Sequence, residues 1–320
     1  MPHSPSPDST STCPLCGNTG KHDLSGRDLM FGGNKRYDYD RCTVCSLVYL
    51  TPGPTPDEIA DFYPDSYSIY TEPKQPHFSR RALRTLKYRM GYHHLRIEND
   101  ERLLDRIRPD KPIPNVIPYV PEGRVLDIGT GNGENLLRLK SIGWQCQGVE
   151  FNAKAVEICR NNGLDVFHGD LVSAAFESNT FDFVTAHHLL EHVPKPHDLL
   201  AEIARITRPG GYVLIRTPNS NSLGRSLFGE YWFANEIPRH LMLYNKDNLK
   251  RLATEHGLQP ESMNIPAKPK ILLRSLDYKM QNTGTPSEKK PVLKWLAKLY
   301  IPLARLTSRG DELAALFRKI

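Results

Sequence analysis

No run of about 18 uninterrupted apolar residues occurs anywhere in the 320-residue chain, which argues against a membrane-spanning helix. The opening MPHSPSPDSTST carries neither a basic nor an apolar segment, so a secretory leader is not expected and a cytoplasmic location is. A disulfide framework is also missing. Of six cysteines, four fall into two CxxC pairs, while Cys146 and Cys159 stand singly in stretches that read as core. Strong net charge is absent too: the balance is +6, and its visible source is local. Arg80, Arg81, Arg84, Lys87, Arg89 and Arg96 share a stretch without one acidic residue, which could face phosphates or an anionic surface but reads equally as a solvated helix face. What is present, 39% apolar and 24% charged residues, suffices for one α/β core and a smaller module.

Breakers divide the chain. Residues 1–75 begin with a Ser/Pro/Thr-rich tail and continue as a ribbon-like unit around the paired cysteines, closed by TPGPTP at Thr51 to Pro56. Residues 76–114 hold a basic segment without internal proline up to Arg108, expected as one long helix that can break at Gly91, and then a Pro-rich connector. Across 115–270 the strand-like runs RVLDIG, QCQGVEF, DVFHGD, FDFVTAH and GYVLIRT alternate with helical stretches, which predicts a doubly wound α/β sheet. Residues 271–320 offer an amphipathic stretch over 291–306 and a closing strand, ELAALFRK. The stretch is a candidate lid, or a face for peripheral membrane contact, although packing on the core is the commoner use of such a stripe.

The chemistry concentrates at one loop. An apolar strand ending in Asp127 and Ile128 runs into Gly129, Thr130, Gly131, Asn132 and Gly133 and then a helical stretch, so the backbone can turn sharply and approach a ligand closely. The spacing is GxGxG and not the GxGxxG of dinucleotide sites. Glu150 ends the next strand-like run, where a carboxylate can accept the ribose hydroxyls of an adenosine group.

In order, VLDIGTGNG, GVEFN, HGDL, FDFVTAHHLLEHV and PGGYVLIRTPN resemble the motif series of class I S-adenosylmethionine methyltransferases, over roughly half of the chain. The resemblance implies a Rossmann-like doubly wound sheet of that class. It also implies that Asp127, Gly129, Gly131 and Gly133 cradle the methionine part of S-adenosylmethionine, that Glu150 holds the ribose, and that Asp170 with Leu171 faces the adenine.

Methyl transfer from a sulfonium needs alignment and, for a hydroxyl acceptor, removal of a proton. His187 and His188 follow the fourth strand, and His240 lies in a later cluster with Tyr231, Trp232 and Arg239; the three histidines are the base candidates and the latter three the acceptor-binding candidates. Some ubiquinone-pathway O-methyltransferases are similar at LLEHV and hold a divalent ion on an ExxEH pattern, where this chain has His188 in place of the first glutamate, with Glu191 and His192 after it.

Cys13, Cys16, Cys42 and Cys45 form CxxC–x25–CxxC, which suits a structural Zn2+ in a closed four-thiolate shell. A zinc module ahead of a methyltransferase domain resembles the arrangement in sugar C-methyltransferases, where it helps form the acceptor site, and more loosely that in zinc-bearing rRNA guanine methyltransferases. The expected activity is therefore methylation of a small-molecule acceptor, a sugar, nucleotide-sugar or related metabolite, at oxygen or carbon. An RNA methyltransferase is the alternative, disfavoured by the modest charge and by the lack of an [DN]PP[YF] tetrapeptide. A non-catalytic cofactor-binding scaffold is the third reading.

Overall fold

The computed structural model describes residues 11–63, 71–97, 115–282 and 290–320. Along the chain run β1 (Gly20–Arg27), β2 (Arg36–Cys42), β3 (Val48–Thr51), α1 (Pro56–Asp61), α2 (Arg80–Arg89), β4 (Arg124–Ile128), α3 (Glu134–Lys140), β5 (Gln145–Glu150), α4 (Ala153–Asn161), β6 (Asp165–His168) and β7 (Phe181–His187). They are followed by α5 (Pro196–Ile206), β8 (Thr207–Pro218), α6 (Leu223–Phe228), β9 (Met242–Leu243), α7 (Lys246–Glu255), β10 (Leu258–Asn264), α8 (Pro269–Asn282), α9 (Lys290–Leu306) and β11 (Glu312–Lys319).

The chain forms two compact units: Met1–Tyr67 with His188–Ala201 and Ile215–Leu316, and Ser68–His187 with Glu202–Leu214 and Phe317–Ile320. The consecutive division expected from breakers thus gives way to segments that return to each unit, because sheet partners are chosen by burial and not by sequence order.

In the unit containing Ser68–His187, β4 pairs in parallel with β5 on one side and β7 on the other, and β5 pairs in parallel with β6. Val125, Leu126, Phe183 and Val184 are wholly buried, as strands covered on both faces must be. Leu136, Val156, Cys159, Leu164 and Val166 form a core cluster, so Cys159 is a packing residue. Strand order over the seven-stranded sheet is β10-β11-β8-β7-β4-β5-β6, with the last strand inserted between β10 and β8. The chain leaves β4 toward β5 and β6 and then returns to its other side at β7. The carboxyl ends of β4 and β7 are therefore the switch point where open α/β sheets bind ligands.

In the other unit, β1, β2, β3 and β9 form a four-stranded sheet. The ribbon is completed by a strand from far along the chain: Val48 and Tyr49 pair with Leu243 and Met242. Asn245 builds a reciprocal capping box with Asn248 at the start of α7.

The expected long basic helix is shorter than its composition suggests. α2 starts at the Ser79 cap and stops at Arg89, and Gly91 follows at φ +82°. Residues 98–114 lie outside the described residues. α9 does form over the amphipathic stretch, with Tyr300 and Ala304 packed beside Ala267 and Leu272, while Leu299, Leu303 and Leu306 are exposed. Among the described residues no helix is long and apolar enough to cross a membrane.

Candidate functional site

The glycine loop is built by two requirements, a sharp turn and a tight seat. Gly129, Gly131 and Gly133 have φ of +70°, +57° and +82°, a region that side chains with a Cβ rarely enter. A Cβ on Gly133 would stand 2.4 Å from Leu164 Cδ1, so that glycine admits close packing. A Cβ on Gly131 would meet nothing within 4 Å. Gly131 therefore borders open space, a cradle that fits a ligand brought against the backbone.

Glu150, buried at the end of β5, holds this cradle. Its Oε2 accepts from Gly131 N at 2.8 Å and its Oε1 from Asn152 N at 2.9 Å. Each oxygen retains a lone pair for a diol. Asp127 is buried below the loop, and the Thr185 hydroxyl on β7 donates to its Oδ1 while Asn135 Nδ2 donates to that hydroxyl at 3.3 Å. Burial pushes the Asp127 carboxyl up to about 7 against the hydrogen bonds from Thr185 and Asn135, and the charge of Glu150 adds to the rise.

This fixes a pH dependence. Between the unfolded value of 3.8 and about 7 the folded Asp127 holds a proton that the unfolded chain has released, so its cost to stability is full above about 7, shrinks as pH falls through about 7 and is gone below 3.8. A cationic ligand needs the ionised form, so affinity for S-adenosylmethionine should fall as the pH is lowered from roughly 8 to roughly 6. Calorimetric titration at the two values checks this, and Asp127→Asn should flatten the difference; an unchanged slope in the variant would remove Asp127 as its source.

Asp170 is exposed, accepts from Ser173 N at 2.7 Å, and is held below the usual carboxylate range by that bond. Leu171 beside it is buried. Sequence reasoning overlooked two apolar side chains here: Phe151, 80% exposed directly after Glu150, and Val172, 71% exposed directly after Leu171. Glu150 pairs with His168, so both exposed groups follow adjacent strand ends, where a flat base can be covered. The signal was available, since each apolar residue adjoins a proposed ligand-binding residue. Thr185 was likewise a polar residue within the buried run Phe183–Ala186 of β7.

The histidines separate. Ala186 pairs with Ile128, so His187 leaves the sheet beside Gly129. His188 follows at φ +52°, its Nδ1 3.2 Å from Glu191 Oε1 and its Nε2 3.1 Å from Glu312 Oε2. Burial works against its charge, but the hydrogen bonds to the two carboxylates outweigh it and carry His188 up to about 10. At neutral pH it is an imidazolium with both nitrogens committed, which corrects its expected role as a base. Its partner Glu312 is also bound by Arg216 and Lys268, an ion cluster that nothing in the linear sequence marks.

His240 is buried, with Nδ1 2.9 Å from the Ala234 carbonyl. Trp232 and Arg239 are each 1% exposed, which leaves them no face for an acceptor. Trp232 is a core residue, and Arg239 forms a forked ion pair with Asp28 at 2.6 and 3.1 Å and a further bond to Glu236 at 3.2 Å. Tyr231 is half-buried, its hydroxyl accepting from Asn282 Nδ2 at 2.8 Å.

The four cysteines come together. Their sulfurs all lie within 4.8 Å of one another, with Cys13 to Cys45 at 3.6 Å and Cys16 to Cys42 at 3.4 Å. A tetrahedral ion with bonds of about 2.3 Å sets its thiolates about 3.8 Å apart, close to these separations. Asn18 Nδ2 donates to Cys16 Sγ, and the amides of Val44 and Cys45 donate to Cys42 Sγ, each at 3.4 Å.

A glycine cradle after the central strand, a buried acid on its neighbour and a sheet whose last strand inserts beside β8 together define a nucleoside-cofactor α/β domain. A family model for a methyltransferase domain matches residues 92–263. The chain belongs to that family, and to its class I S-adenosylmethionine-dependent type. A ubiquinone biosynthesis O-methyltransferase from Thiobacillus denitrificans is 33% identical over 154 residues, 44% of this chain and 66% of that relative. One from Burkholderia pseudomallei is 30% identical over the same shares, so the chain spans about two thirds of the length of these relatives. A solved S-adenosylmethionine-dependent methyltransferase from Archaeoglobus fulgidus is 20% identical, with a TM-score of 0.45 over 62% of this chain and 86% of that one.

Proposed function

We propose that the protein transfers a methyl group from S-adenosylmethionine to a small hydroxyl-bearing acceptor, a sugar, nucleotide-sugar or related metabolite, at oxygen or carbon. The observation that carries the reading is the Glu150 carboxylate fastened to the open Gly131 cradle, a seat for a nucleoside with room for its methionine arm. The relatives are named as ubiquinone biosynthesis O-methyltransferases, which supports transfer to oxygen.

The reaction is an in-line displacement. The acceptor atom forms a bond to the methyl carbon as the carbon–sulfur bond breaks, S-adenosylhomocysteine leaves, and an acceptor hydroxyl gives up one proton. With His188 held as an imidazolium and His240 buried, His187 beside the glycine loop is the base we assign. The Cys13, Cys16, Cys42 and Cys45 set would hold a structural Zn2+, its four thiolates closing the shell.

Turnover of hydroxylated acceptors, read as S-adenosylhomocysteine release, tests the activity. His187→Gln should lower kcat by roughly 10²- to 10⁴-fold while cofactor affinity stays unchanged. Full activity in the variant would move the base elsewhere. Release stimulated only by RNA, with strong salt dependence, would favour the nucleic-acid reading instead.

A further inference from the structure

One apolar surface is not used by this function. α9 is anchored to its own unit along one side: Tyr300 and Ala304 are buried beside Ala267 and Leu272, and the Tyr300 hydroxyl donates to the buried Asp311 carboxylate at 2.5 Å. At about 100° per residue, Leu299, Leu303 and Leu306 fall on one arc of roughly 60° next to that anchored side. They are 54%, 50% and 85% exposed, so packing within the unit leaves this ridge uncovered. α6 adds Leu227, 55% exposed and next to Ser226, whose hydroxyl accepts from Arg309 just beyond the end of α9.

The charge around the ridge is of one sign. From Lys289 to Gly310 the sequence holds Lys289, Lys290, Lys294, Lys298, Arg305 and Arg309 and no acidic residue. Lys298 and Arg305 are exposed, and the same helical geometry sets them on the flank of the ridge that faces away from the buried side. α8, packed beside α9, carries Lys270, Arg274 and Lys279 against the single acid Asp277.

We propose that this face of α9 lies on an anionic lipid surface, with Leu299, Leu303 and Leu306 entering the boundary between headgroups and acyl chains and the basic flank meeting the phosphates. A leucine ridge beside a cationic flank, on a helix already fixed to its domain, is what a helix lying in a membrane interface presents. The contact is peripheral: among the described residues no helix is long and apolar enough to cross a bilayer. A second copy of the chain fits the face less well. A two-fold contact would set the basic flank against itself, and α9 has no acidic residue to offset the repulsion.

Cosedimentation of the full-length protein with vesicles tests this, using phosphatidylcholine alone and phosphatidylcholine mixed in equal parts with phosphatidylglycerol. The protein should bind the mixed vesicles at least about 10-fold more strongly than the neutral ones, and raised salt should weaken that binding. Leu299→Glu combined with Leu303→Glu should lower binding to the mixed vesicles at least about 10-fold, while the melting temperature and S-adenosylmethionine binding stay unchanged. Lys298→Ser combined with Arg305→Ser should cut the preference for anionic vesicles at least about 5-fold. Equal pelleting with and without vesicles would overturn the proposal, and so would a folded leucine variant that binds like the wild type. A wild type that dimerises in analytical ultracentrifugation, with a monomeric leucine variant, would overturn it in favour of a second copy. If the leucine variant fails to fold, the Lys298 and Arg305 variant decides.

Discussion

Replacing Glu150 with alanine is expected to weaken S-adenosylmethionine binding by at least about 100-fold, because the carboxylate would serve both partners at once. It accepts from Gly131 N and Asn152 N, and each oxygen keeps a lone pair that a ribose diol would use. Hydrogen bonds to a charged group contribute about 1.5–3 kcal/mol each, so losing two to the diol costs roughly 3–6 kcal/mol before any relaxation of the loop. Glu150→Gln should fall between wild type and alanine, since one oxygen survives. Gly131→Val should be as severe for a different reason, forcing a branched Cβ into φ +57° and into the open cradle. Calorimetric titration checks all three, with circular dichroism to confirm folding. Tight binding by folded Glu150→Ala would show that the cofactor does not sit on β5.

Removal of zinc should have the second large effect, on structure and not on cofactor affinity. The two CxxC turns are joined by the β1–β2 pairing and by Thr43 N and Oγ1 donating to the Thr19 carbonyl at 3.1 and 3.0 Å, and the proposed ion would tie the four sulfurs, 3.4–3.6 Å apart in pairs, on top of that. Structural zinc contributes about 10–16 kcal/mol in small metal-dependent domains. Cys16→Ser is therefore expected to lose the thiolate-bound ion and to lower the Tm by about 10 °C or more. The ribbon also supports the segment carrying His240. Tyr39 donates to the His240 carbonyl at 3.0 Å, Leu50 N to the Leu241 carbonyl at 2.9 Å, and β3 pairs with β9 just beyond. Protease cleavage around 238–243 should accordingly rise in the variant. The cofactor residues all belong to the other unit, so S-adenosylmethionine binding should survive. Unchanged melting after loss of the metal would make the cysteine cluster incidental to stability.

Both effects concern residues that were legible in the linear sequence, because each is written in local spacing. GxGxG after an apolar strand needs only a few adjacent backbone angles to make a cradle, and Glu150 sits one crossover later. Paired CxxC turns place their sulfurs by local geometry, and only the meeting of the two pairs is long-range. The acceptor-side residues were legible as residue types but not as roles. Arg239 and Trp232 have side chains suited to grip a ligand; whether they do depends on what stands opposite. Asp28, 211 residues earlier, takes the guanidinium, and burial takes the indole. His188 changed its meaning for the same reason, since the carboxylates that capture it come from Glu191 nearby and Glu312 at the start of β11.

By itself, then, the sequence determined the α/β class, a glycine loop with an acid at the end of the next strand, and the gathering of four cysteines, all of which rest on hydrophobic period, glycine φ freedom or short-range spacing. The tertiary structure decided which chain segments return to each unit, the completion of the ribbon by β9, and which histidines are paired or buried. Those outcomes depend on partners tens to hundreds of residues away. Only the packed chain brings such groups within the few ångströms over which hydrogen bonds and ion pairs act, and only there does burial set their charge.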